Sequence, residues 1–276
     1  MNRLSIERQA RILNLLVEGV SMRAITRLEG VGINTVARLI DAAGEAAAAY
    51  HDEHVRGIGG NRRIECDEVW AFVYAKARTV PRAKAAPKDA GDAWTFSAID
   101  ANSKLVVSYL VGDRDGQSAI ELMDDLRSRL EDRPQISTDG LSACVEAIEG
   151  AFGGRVEGDP DMRKANTSYV ERHNLTMRMG NRRFTGLTNA FSKKIEKHSA
   201  MVSLFFLHYN FCRIHKTLRV TPAMEAGIET TARDTTWIAE LIAARARKPN
   251  RPKKYRNRAE GTRERGGRLP IPRQRA

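Results

Sequence analysis

Three acidic residues are spaced so that they could share a metal ion. Asp67 lies inside an apolar, strand-like run, Ile64-Glu-Cys-Asp-Glu-Val-Trp-Ala-Phe-Val73. Asp139 closes a second such run in Gln135-Ile-Ser-Thr-Asp-Gly140, and Glu171 falls in the helix-like stretch Thr167-Ser-Tyr-Val-Glu-Arg-His-Asn-Leu-Thr-Met-Arg178. Carboxylates are the hard oxygen ligands that Mg²⁺ or Mn²⁺ takes, and a few suffice because such ions keep part of their water shell. Two ions about 3.5–4 Å apart can position a nucleophile and neutralise the leaving oxygen in phosphoryl transfer. The surroundings of Glu171 suit a phosphate backbone: from Arg172 to Arg219 there are ten Lys/Arg against one acid, Glu196. Each acid taken singly also has a plainer use. Asp67 could sit at a strand surface, Asp139-Gly140 could be a turn, and Glu171 could pair with Arg172 or Arg178. With 71 residues between the aspartates and 31 between Asp139 and Glu171, the three together favour the metal.

The elements that must hold these acids follow from periodicity. Ile64–Val73, Trp94–Asp100, Lys104–Val111 and residues 134–138 are β-rich, with Ala101-Asn-Ser103 as a tight turn. Asp115-Gly-Gln-Ser118 opens an amphipathic helix carrying Ile120, Leu122, Met123, Leu126 and Leu130, and another helix is expected near 141–150. The order is β-β-β-α-β-α, that of an RNase H-like domain. A short strand is expected at Arg155-Val156, and helices from Tyr169 to Met179 and Phe191 to Cys212, the second filling the core with Val202, Leu204, Phe205, Phe206 and Phe211. The polar stretch from Lys76 to Asp92 is expected to form an extended arm or a solvated loop. Ahead of the strands, residues 5–43 carry three short helical patterns, the first stopped by Gly19 and the second capped by Ser21. They suit a helix-turn-helix whose third helix offers Asn34, Thr35 and Arg38 to a major groove, or a packing module without DNA. The alanine-rich residues 42–49 either continue the third helix or begin a linker.

Charge is unevenly spread. Residues 245–276 carry 13 Lys/Arg and two Asp/Glu, so most of the net +12 lies in this tail. The tail is expected to be disordered, and either to bind nucleic acid by counterion release or to remain merely solvated. Cys66, Cys144 and Cys212 form no C-x-x-C pair and are expected as reduced thiols, not a zinc site. Neither a long uncharged apolar run nor a signal-peptide pattern is present, so a cytoplasmic protein, nucleoid-associated when bound to DNA, is expected.

Ile64-Glu-Cys-Asp-Glu-Val-Trp-Ala-Phe-Val-Tyr-Ala-Lys76, Ser137-Thr-Asp-Gly140 and Glu171-Arg-His-Asn-Leu-Thr-Met-Arg178 resemble the catalytic blocks of insertion-sequence-one family transposases. The segment Gly19–Gly44, with Glu29-Gly-Val-Gly-Ile-Asn-Thr-Val36, resembles that family's helix-turn-helix, and the likeness spans roughly residues 10–200. The resemblance implies a DDE-type transposase with Asp67, Asp139 and Glu171 as its metal-binding triad. Asn174 and Arg178 share a helix face with Glu171 and could hold the scissile phosphate or a DNA end. His173 falls off that face and is expected to touch the DNA backbone at most. Two departures stand out. Many members of the family have a cysteine zinc segment before the helix-turn-helix, which this chain does not show. Tyr209-Asn-Phe-Cys-Arg-Ile-His-Lys-Thr-Leu218 with Thr221-Pro-Ala223 looks more like the closing block of other integrase-core transposases. There Arg213, His215 and Lys216 could meet DNA, or Asn210 and His215 could bond the local turn.

The expected architecture is mixed α/β: an RNase H-like catalytic core preceded by an all-α helix-turn-helix domain. The divisions are residues 1–50, a linker 51–63, the core 64–220, a helical segment 221–244 and the tail 245–276. Two Mg²⁺ (or Mn²⁺) ions are expected as cofactor, and element-end and target double-stranded DNA as partners. DNA contacts are expected from Asn34, Thr35, Arg38, Asn174, Arg178, Arg182, Arg183, Arg213 and Lys216. Because two element ends must be handled together, a homodimer or larger assembly is expected on DNA. The rival expectations are a transposase-derived DNA-binding regulator without catalysis and an RNase H-like nuclease.

Overall fold

Strand β1 (Arg63–Val73) is the spine of the sheet. Val69, Trp70, Phe72 and Val73 favour its extended backbone, and its side chains alternate between two covered faces. The computed structural model describes residues 4–138, 142–153, 166–185 and 190–246. Strands β2 (Gly91–Asp100), β3 (Val106–Gly112) and β4 (Gln135–Thr138) complete a mixed sheet in the order β3-β2-β1-β4. β1 runs antiparallel to β2, β2 antiparallel to β3, and β4 parallel to β1. The parallel register pairs Glu65 with Ser137 and Cys66 with Thr138, so pairing reaches the residue before Asp67.

One face of the sheet carries α4 (Gly116–Arg129), capped by Asp115, whose carboxylate accepts from Ser118 N at 2.9 Å. α4 packs on β3 and β2 and on α5 (Ser142–Phe152). The other face carries α6 (Ser168–Gly180) against β1 and β2, and α7 (Ile195–Phe211) against β3. The chain thus follows the expected β-β-β-α-β-α order. The stretch between β1 and β2 is no extended arm: it holds a short 3-10 turn, Ala77–Arg82, whose first N–H donates to Asp92 Oδ1 at 2.9 Å.

The N-terminal residues form α1 (Ile6–Val17), α2 (Met22–Glu29, capped by Ser21) and α3 (Ile33–His54). Gly30 takes the left-handed conformation at the end of α2, with φ of 59°. The alanine-rich residues extend the third helix. α3 runs on to His54, inside the stretch expected as a linker, because alanine favours helix and leaves a slim surface. That surface packs on α7 so closely that a Cβ at Gly44 would run into the Ala200 backbone. α7 is apolar on nearly every side, as a helix buried between two layers must be. Leu204, Leu207 and Phe211 share a core with α3, whereas Val202, Phe205, Phe206 and Tyr209 share one with Val69, Ala71 and Met177. α8 (Pro222–Glu225) and α9 (Thr235–Arg245) follow. Cys66, Cys144 and Cys212 form no disulfide among the described residues, and no described helix is long and apolar enough to cross a membrane. The expected strand at Arg155-Val156 and nearly all of the basic tail lie outside the described residues.

Candidate active site

Asp67 and Asn174 form the centre of the site. Asp67 points from β1 toward α6, and its Oδ2 accepts from Asn174 Nδ2 at 2.6 Å. Its Oδ1 accepts from Glu68 N at 2.8 Å. Both donors are neutral amides, and together they orient the carboxylate. Asn174 is only 4% exposed, and the sheet side of α6 places it there. Glu171 lies in the first turn of α6, exposed, and its Oε1 accepts from Thr167 Oγ1 at 2.7 Å. Arg178 is exposed one turn beyond Asn174, and Arg182 is exposed just past the helix. Asp139, the residue after β4, lies outside the described residues.

A second acid on the same face went unnoticed in the sequence. Glu65 is 2% exposed, and its Oε2 accepts from Tyr169 N at 2.8 Å and Val170 N at 3.0 Å. Burial pushes its pKa upward, against the pull of those two amides and of nearby Lys104. Burial in turn lowers Lys104 to about 8. The signal available was the period of two along β1, which puts Glu65 and Asp67 on one side.

The remaining expected site residues divide by environment. Asn34 and Arg38 are exposed on α3 and Thr35 is half-buried, while Val36, Leu39 and Ile40 face inward. Arg213 and Lys216 are exposed after α7. Arg172 and Arg213 rim a cavity of about 340 Å³ floored by Phe205, His208 and Tyr209. Arg183 does not join the acids. Its guanidinium lies 3.6 Å from Met22 Sδ, and burial lowers its pKa, with Asp41 opposing. Asn174 is likewise turned inward, holding Asp67.

His173 requires a correction. Instead of touching DNA it is 2% exposed, stacked on Phe206 and edge-on to Tyr209, because its side of α6 is covered by α7. Asn210 spans from α7 to β3, accepting from Val106 N at 3.0 Å and donating to Val106 O at 2.9 Å. His215 Nδ1 is 3.0 Å from Thr217 Oγ1, within its own turn.

Among the described residues, no group of three His, Cys, Asp or Glu gathers tightly enough to hold a metal. The donor types do fit one: Asp67 and Glu171 offer the hard oxygens that Mg²⁺ and Mn²⁺ prefer.

Known proteins resemble this part of the chain. The pattern of the family described as IS1 transposase matches residues 63–212, from the start of β1 to the end of α7. The insertion element IS1 protein InsB of Shigella sonnei is 29% identical over 147 residues, covering 52% of this chain and 95% of that protein. The iso-IS1n protein InsB of Shigella dysenteriae is 25% identical over 148 residues, covering 53% and 95%. The IS1 2 protein InsB of Escherichia coli K12 is 29% identical over 147 residues, covering 52% and 75%. The family match takes in more than half of the sequence, and this chain belongs to the IS1 transposase family.

Proposed function

We propose that this transposase cuts and joins DNA at a DDE-type site built from Asp67, Asp139 and Glu171 on an RNase H-like core. The observation that carries the proposal is the Asn174–Asp67 hydrogen bond, which ties the helix of Glu171 to the strand of Asp67. The strand order supports the RNase H-like reading: Thr138, the residue before Asp139, ends the parallel neighbour of β1.

Asp67, Asp139 and Glu171 would hold the divalent ions. When bound, these supply charge neutralisation at the scissile phosphate and lower the pKa of an attacking oxygen. The chain's own part is placement. Asn174 and the Glu68 amide aim the Asp67 carboxylate, and Thr167 aims Glu171. In the first step a water oxygen bonds to phosphorus and the bond to the 3′-oxygen breaks, leaving a 3′-hydroxyl and a 5′-phosphate. In the second step that 3′-oxygen bonds to a target phosphorus, and the target's own 3′-oxygen leaves. Bonds made and broken balance, so no high-energy cofactor is consumed.

Arg178 and Arg182 beside the site, with Arg213 and Lys216, would neutralise DNA phosphates. The three N-terminal helices would act as a helix-turn-helix, with Asn34, Thr35 and Arg38 on its outward side reading element ends. A dimer or larger assembly would hold two ends.

The test is strand transfer with labelled element-end DNA in Mg²⁺ or Mn²⁺, comparing wild type with Glu171→Gln. The proposal expects joined products that fall by at least about a hundredfold in the variant, with DNA binding retained. Tight binding without cleavage or joining by wild type would instead support a regulator.

A further inference from the structure

We infer that Glu65 is a positioning residue: it replaces the missing N-terminal cap of α6 and thereby sets Glu171 relative to Asp67. This rests on the metal-site reading above. A helix ordinarily closes its first turn with the side chain of the residue before it, which accepts from the second or third helical N–H. In α6 that residue, Thr167, makes no such bond. Its hydroxyl donates to Glu171 Oε1 instead. The second and third N–H groups, those of Tyr169 and Val170, both donate to Glu65 Oε2. The strand therefore caps the helix from more than a hundred residues away in sequence.

The geometry explains why the cap bears on the site. Glu65 and Asp67 are two residues apart on β1 and share a face. Glu65 holds the start of α6, and Asp67 accepts from Asn174 just over one turn farther along. Two points fix both the slide and the rotation of a helix, and Glu171 lies between them. Only the reach of an acceptor oxygen is needed for the first point. Glu65 Oε1 has no partner among the described residues.

Two substitutions separate reach from charge. Glu65→Gln keeps the arm length and an acceptor oxygen but removes the charge, whereas Glu65→Asp keeps the charge and shortens the arm. Both are polar and small enough for the site, and the full chain is used. Hydrogen exchange reads the cap directly, because first-turn amides are protected only when something accepts from them. Exchange at Tyr169 and Val170 is expected to stay at the wild-type rate in Glu65→Gln and to rise at least about tenfold in Glu65→Asp, with Met177 unchanged in both. Mn²⁺ binding, followed by electron paramagnetic resonance, is expected to stay within about threefold in Glu65→Gln and to weaken at least about tenfold in Glu65→Asp. Wild-type exchange and Mn²⁺ affinity in Glu65→Asp would overturn the inference, as would equal losses in the two variants. Asp67→Asn is the control for the underlying reading. If it binds Mn²⁺ as tightly as wild type, the metal assignment falls, while the exchange rates still report whether Glu65 caps α6.

Discussion

The two faces of β1 treat their carboxylates differently. On the α4 face, Glu68 is buried, with its side chain 2% exposed, and Arg114 meets it at 2.6 Å. The Arg114 guanidinium also lies over the Trp94 ring, 4.9 Å from its centre. On the α6 face, Glu65 and Asp67 accept from backbone and side-chain amides that carry no charge. A guanidinium cancels a carboxylate and converts it into a structural fastening, whereas a neutral donor only aims it. The difference separates Glu68, fastened by a guanidinium, from Asp67, aimed at α6 by amides.

The largest expected effect tests that separation head-on. Asp67→Asn should lower strand transfer at least about a hundredfold, while Glu68→Gln, one residue away on the opposite face, should stay within about threefold. Equal losses in the two variants would erase the distinction between faces. The next effect concerns stability. Arg114→Met leaves Glu68 buried beside a neutral side chain and should lower unfolding free energy by about 2–3 kcal/mol with little change in joining activity. Denaturant titration checks this, and a variant as stable as wild type would show that the pair does not anchor β3 and α4 to β1.

Acid pH probes the packing behind the α6 face. Burial lowers the pKa of His173 from 6.5 to about 3 and that of His198 from 6.5 to about 4. The unfolded chain binds protons below about pH 6.5 where the folded chain does not, so stability is full above that pH and falls on acidification. At pH 5 each such histidine should remove up to about 2 kcal/mol, and His173→Leu should flatten the slope between pH 7 and pH 5. An unchanged slope in the variant would place His173 outside the buried layer. The smallest effect is expected for Asn174→Leu. It removes the donor to Asp67 and should weaken Mn²⁺ binding about tenfold without a matching loss of DNA affinity. DNA affinity falling in its place would make Asn174 a DNA contact after all.

Some of this was visible in the residues. The alternation around Asp67, the Asp115 cap and the apolar density of residues 202–211 each announce a local preference that the fold keeps. Long-range pairing was less visible. Nothing near Glu65 indicates that two amides at 169 and 170 end on it, and the helical period places Asn174 near Glu171 without saying which side the sheet takes. The helical period sets His173 off the face of Asn174 and Arg178, and only the position of α7 decides that it is buried. The alanine-rich stretch after Ile40 suited a linker or a helix equally, until α7 supplied the surface that its small side chains fit. The family match begins at residue 63 and does not take in the N-terminal helices.

The central claim is that Asp67, Asp139 and Glu171 share one metal site. Fe²⁺ placed in that site, with peroxide and ascorbate, generates hydroxyl radicals that cut the polypeptide close to the ion. The account predicts breaks clustered near residues 67, 139 and 171, suppressed together by excess Mg²⁺ and by Asp67→Asn. Breaks confined to other segments, or a pattern that Asp67→Asn leaves unchanged, would contradict it.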